Sequence, residues 1–219
     1  MEAAYATVRD YTARFTKHER INDQLRNPEE IRLKFREPGQ IYMQWTRGDA
    51  VGREILFVKG RDQDRALIHE PGFLTSLLTI VIAPDSPKVL QDSRYPITDV
   101  GVGQLIKLLA ANTRRAVARG ELAASELTPI GPSGSAWAGV GRRIELITPK
   151  AAPGYLCHRA VVAIDGLTRL PVAVELFDTN DALLGSYAYQ DLVLNPGLAD
   201  SDFDSRNAAY RLSGLRVPY

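Results

Sequence analysis

The sequence predicts a mainly β (α+β) fold built on a large curved antiparallel sheet. Three observations carry that prediction. Apolar and polar residues alternate with a period of two along many segments, hairpin-type turn signals separate those segments, and a single convincing long helix interrupts them. The pattern amounts to nine or ten strands with helices at the start and middle, which suits such a sheet better than a parallel α/β scheme. No linker or internal repeat divides the 219 residues, so a single domain, 1–219, is expected.

The Ala-rich opening from Glu2 to about Asp10 suits a short helix. From Tyr11 to Ile21, Tyr11, Ala13 and Phe15 alternate with Thr12, Arg14 and Thr16, as on a strand with one apolar and one solvated face. The turn signal Asn27-Pro28 leads into a strand where Ile31, Leu33 and Phe35 alternate with Arg32, Lys34 and Arg36. Pro38-Gly39 makes the next turn, and Ile41, Met43 and Trp45 then alternate with Tyr42, Gln44 and Thr46. Ile55 and Phe57 alternate with Glu54, Leu56 and Val58, and the polar loop Arg61 to Asp64 separates them from RALIHE. These segments read as a meander. The apolar run Leu74 to Ala83 fits a buried strand or a helix, which periodicity does not separate.

The long helix is expected from about Asp99 to Arg119, after Pro96, with Thr98 or Asp99 as N-cap and Val102, Leu105, Ile106 and Leu109 on one face. The Gly- and Ser-rich stretch Gly131 to Gly141 is either a lid or a hairpin. Strands return in RRIELIT, YLCHRAVVAI, VAVELF and LLGSYAYQDLVL, separated by Pro153-Gly154, Asp165-Gly166 and Thr179-Asn180-Asp181.

Composition narrows the function. With 27 Lys plus Arg against 26 Asp plus Glu, interleaved along the chain, there is no global field to attract nucleic acid. The single cysteine, Cys157, excludes an intrachain disulfide and a cysteine-rich metal cluster. No run approaches the ~18 apolar residues of a membrane span. No signal peptide is visible, so the chain is cytoplasmic, or an export signal was removed and Met1 added.

Signals for catalysis are weak. Cys157 and His158 are adjacent, but neighbouring side chains on a strand point to opposite faces, and the same holds for His18 with Glu19 and His69 with Glu70. Gly101-Val102-Gly103 and Gly139-Val140-Gly141 begin like dinucleotide fingerprints yet carry Ile106 and Ile144 where the third glycine belongs. The first pair is better read as letting the helix start pack closely on the sheet. No catalytic residue, metal site or cofactor is expected. What stands out is large apolar groups on successive strands: Phe15, Phe35, Met43, Trp45 and Phe57. They form either a filled core or the wall of a groove.

The run Val8 to Val58, with YTARFTKHER, EEIRLKFREPGQIYMQW and GREILFV in this order, resembles the N-terminal half of the bacterial LolA and LolB group of lipoprotein carriers. It is more similar still to an allied bacterial family of unknown function, as are SRYPITDVGVGQLIKLL and the closing block Leu170 to Leu212. After the terminal Phe203, the proline-rich segment of the carrier group is replaced by Asp204 to Ala209. The resemblance implies an unclosed half-barrel whose concave face, covered by helices, receives acyl chains, and it implies export to the periplasm. The expected protein is a lipid- or lipoprotein-binding carrier; the alternatives are an envelope sensor or interaction module using the same groove, or an envelope enzyme. The expected groove is lined by Phe15, Leu33, Phe35, Met43, Trp45, Phe57, Leu105, Ile106 and Leu109. Its partners would be lipid or lipoprotein acyl chains and a membrane-bound donor or acceptor protein, without nucleic acid.

Overall fold

The computed structural model describes residues 1–72, 77–127, 140–148 and 154–219. Thirteen strands follow in chain order: β1 (Asp10–Ile21), β2 (Gln24–Leu25), β3 (Glu29–Arg36), β4 (Gln40–Arg47), β5 (Glu54–Val58), β6 (Ala66–His69), β7 (Leu78–Ile82), β8 (Ala123–Leu127), β9 (Val140–Ile147), β10 (Arg159–Asp165), β11 (Pro171–Phe177), β12 (Leu183–Leu194) and β13 (Leu215–Pro218). The helices are α1 (Glu2–Tyr5), α2 (Pro87–Leu90) and α3 (Val102–Ala118). The strands form one unclosed sheet in the order β13-β7-β6-β5-β4-β3-β1-β12-β11-β10-β9-β8, with β2 paired to β1.

The fold is mainly β, as expected, but the sheet has thirteen strands rather than nine or ten, and the helices are few. The three strands without a clear sequence signal are β2, β8 and β13. β2 is only two residues long, and β8 reads Ala-Ala-Ser-Glu-Leu, poor strand formers apart from the last. β13 ends at Pro218 and pairs with β7, far earlier in the chain; this pair is parallel, in a sheet expected to be antiparallel throughout. The described part of the ambiguous run Leu74 to Ala83 is a strand. The stretch Gly131 to Gly139 lies outside the described residues, so neither the lid nor the hairpin is addressed.

Contacts divide the chain into two compact units. The meander unit comprises residues 8–16, 27–100 and 191–219; the helix unit comprises 1–7, 17–26 and 101–190. In the meander unit, period-two patterning gives the β3–β4, β4–β5, β5–β6 and β6–β7 antiparallel pairs in unbroken succession. Gly39 closes the β3–β4 turn at φ 101°, a conformation that favours glycine.

In the helix unit, β8 to β12 form successive antiparallel pairs from β8–β9 to β11–β12. Leu105 and Leu109 of α3 pack with Cys157, Ala160, Val162, Val174 and Leu176. The helix starts later than the sequence suggests. Ile97–Asp99 is a separate tight turn and the N-cap is Gly101, without a side-chain cap. The Gly101 N–H instead donates to the Tyr189 hydroxyl at 3.1 Å, a long-range partner that local patterning does not reveal. Gly103 is required by a close approach, but to the Tyr5 ring of α1 rather than to the sheet: a Cβ there would lie 2.5 Å from the ring.

Candidate functional site

Hairpin register gathers large apolar side chains on one face of the meander unit. Ile31, Leu33 and Phe35 of β3 lie opposite Trp45, Met43 and Ile41 of β4, and Ile41 and Met43 lie opposite Phe57 and Ile55 of β5. The row continues through Ile68 and Ala66 of β6 to Ile80 and Ile82 of β7. Tyr11 of β1 stacks on Phe35 with ring centroids 5.0 Å apart, which assigns Tyr11, Ala13 and Phe15 to the same face. None of these residues is charged. The six positions expected here from the sequence, Phe15, Leu33, Phe35, Met43, Trp45 and Phe57, are at most 5% exposed.

The other three expected residues, Leu105, Ile106 and Leu109, belong to the helix unit. Leu105 and Leu109 join the α3 core described above, and Ile106 is buried. The expected groove lining omits Tyr11, Ile31 and Ile41, although the alternation puts them on the same strand faces as Phe15, Leu33 and Met43.

One orphaned polar atom sits in that face. The Trp45 indole Nε1 is buried and has no hydrogen-bond partner among the described residues, while the ring lies under the Arg53 guanidinium at 5.7 Å. An orphaned buried donor costs about 1–3 kcal/mol. Trp45 is held at the end of β4 by backbone bonds to Arg53 and Gly52, and Arg53 is in turn paired with Glu70 at 2.9 Å and Asp92 at 3.7 Å.

The opposite face is closed by the chain's own residues 195–212. Asp10, nearly buried, accepts from the backbone N–H groups of Gly197 and Leu198. Arg36 donates to the Leu198 carbonyl and pairs with Asp200. The Lys34 ammonium bonds Asp202 at 2.7 Å and the Tyr210 hydroxyl at 3.0 Å, and Glu54 accepts from the Arg211 N–H. Beneath this strap Tyr42, Leu56, Val58 and Leu67 pack against Phe203, Tyr210 and Leu212, with Tyr42 and Tyr210 stacked at 3.8 Å. A cleft of about 200 Å³ opens beside it, floored by Leu56, Val58, Leu67 and Phe203 and rimmed by Arg61, Asp62, Asp204, Arg206 and Arg216.

The electrostatics of this face follow from burial and pairing. Lys34 donates to Asp202 and holds its carboxyl below the usual range, whereas burial pushes the Tyr42 hydroxyl well up, helped by Glu54. Burial lowers the pKa of His69, against an opposing pull from Glu54. Both ring nitrogens of His69 and the Thr79 hydroxyl are buried without partners.

Cys157, the only thiol, is buried in the α3 core. Among the described residues, no group of three or more His, Cys, Asp or Glu side chains is arranged to hold a metal. No helix among them is long and apolar enough to cross a membrane.

An unclosed, mainly β sheet with an apolar face on one run of successive hairpins is the class of protein that these observations define. The chain belongs to the DUF1571 family, described as a protein of unknown function, whose pattern matches residues 8–212. No match is found among curated proteins. Among solved structures, an uncharacterized conserved protein from Thermus thermophilus shares the fold, with a TM-score of 0.53 at 9% identity, covering all of this chain and 95% of the other. A LolA superfamily protein from Nitrosomonas europaea matches 93% of this chain and 94% of its own at 11% identity, with a TM-score of 0.38. MucB of Pseudomonas aeruginosa, solved with MucA, matches 93% of this chain and 57% of its own at 13% identity, with a TM-score of 0.43.

Proposed function

We propose that this protein is a periplasmic carrier that shelters the acyl chains of a lipid or lipoprotein against the apolar face of the meander unit. The observation that supports this reading is the charge-free row of aromatic and aliphatic side chains from Phe15 to Ile82, on a sheet whose other face is already closed by residues 195–212. A sheet needs one covered face to be stable, and the strap supplies it, which leaves the second face as the candidate for cargo. Each methylene moved from water onto it is worth about 0.8 kcal/mol, so one long chain gives usable affinity. Because the face is buried from solvent, uptake requires it to open and release requires it to close again. A membrane-bound donor or acceptor protein would complete the cycle.

Two measurements test this. Native mass spectrometry on protein purified without detergent should find bound lipid, and labelled lipid should pass between vesicles faster when the protein is added. Bound lipid without transfer would favour a sensor or interaction module on the same face. No bound lipid and no uptake of a fluorescent fatty acid would end the reading.

A further inference from the structure

We infer that the Trp45 indole N–H is the polar anchor of the acyl site and selects chains that end in a neutral carbonyl, as in an ester or amide linkage. This rests on the carrier reading above. The indole nitrogen can only donate, and here it is buried without a partner among the described residues, with the hydrocarbon side chains of Ile31 and Leu33 beside it on β3. A filled core would more economically place an apolar residue at this position, or supply an acceptor from its own groups. A hydrocarbon tail alone would leave the donor orphaned. A chain carrying a carbonyl oxygen at its head would satisfy it.

The surroundings decide which head group fits. Trp45 lies at the end of β4 beside residues 47–53, at one end of the apolar face, so a chain anchored there runs along Met43 and Leu33. The nearby cation is Arg53, and its charge is already met by Glu70 and Asp92. A free carboxylate or phosphate would therefore arrive beside the two carboxylates that already pair Arg53, and its charge would be desolvated. An ester or amide carbonyl accepts the same hydrogen bond without that charge. Trp45 is thus a specificity residue, discriminating acylated from free fatty acids.

The test uses three ligands with the same tail: methyl decanoate, decanoate and decane. The Trp137→Phe variant leaves Trp45 as the sole indole, so its N–H gives one assigned NMR resonance. Methyl decanoate should shift that resonance downfield and bind about tenfold more tightly than either decane or decanoate, the discrimination expected of one buried hydrogen bond. Adding Trp45→Phe should remove the preference for the ester over decane. Ester binding with an unmoved indole resonance, as when a buried water already holds the donor, overturns the anchor; so does an equal preference in both variants. Binding of decanoate as tight as the ester overturns the selectivity. If none of the three binds the parent, the carrier reading falls and the anchor with it.

Discussion

The two faces of the meander unit's sheet are both buried and are built differently. On one, Phe35, Met43 and Trp45 present apolar surface with a single orphaned donor; on the other, Lys34, Arg36 and Glu54 are bound to residues 195–212 through ion pairs and backbone hydrogen bonds. The strapped face is specified by directional bonds, each of which needs one particular partner. The apolar face has no such addressing. That contrast is what the carrier reading rests on: one face is held by specific bonds, the other by apolar contact alone.

The contrast is sharpest in a pair of truncations. Phe203→Ala should cost about 3–5 kcal/mol in a denaturant titration, because Phe203 is fully enclosed by the strap core. Phe35→Ala should cost visibly less and should instead weaken uptake of a fluorescent fatty acid. Equal costs with no uptake by the parent would make both faces ordinary core. Next in size, Lys34→Met should lose about 1 kcal/mol, since the bonds to Asp202 and Tyr210 are charged but partly solvated. An unchanged denaturation midpoint would mean the strap is held by its apolar contacts alone.

Titration gives a third test. The folded-state pKa of His69 is lowered, so the unfolded chain takes up that proton more readily, and stability falls as pH drops below about 6.5, the ordinary histidine value. His69→Leu should flatten the profile between pH 7 and 5. A separate loss is expected in stronger acid, as Asp202, whose pKa is lowered, takes up its proton and releases Lys34. An identical pH profile in His69→Leu would remove the histidine from this account. The smallest effect is expected from Thr79→Val, where removing a buried, partnerless hydroxyl should be neutral or stabilising by up to about 1 kcal/mol. A clear destabilisation there would reveal a bound water beneath the strap.

The meander was legible in the sequence because each strand is defined by its own alternation. The period-two rows at Ile31, Leu33, Phe35 and Ile41, Met43, Trp45 also dictated which side chains share a face. What closes the other face was not legible. Phe203, Tyr210 and Leu212 lie in a segment without periodicity, and their partners on β4, β5 and β6 belong to the first third of the chain. The helix start was misplaced for the same reason, since Gly101 is secured by Tyr189 rather than by a neighbour in sequence. The orphaned indole is likewise invisible to patterning: Trp45 reads as one more apolar residue on its strand until every acceptor around it is known.

The late position of the strap also bears on how the chain matures. Residues 29–82 emerge from the ribosome well before Asp202, Tyr210 and Arg211, and at roughly 5–20 residues per second the interval is on the order of ten seconds. Throughout that interval Tyr42, Leu56 and Leu67 have no cover, and β7 lacks its parallel neighbour β13. A nascent sheet bare on both sides is exposed to edge pairing and aggregation, and joining its strands to so distant a segment is inherently slow. Newly made chains would therefore depend on a holding chaperone at this stage.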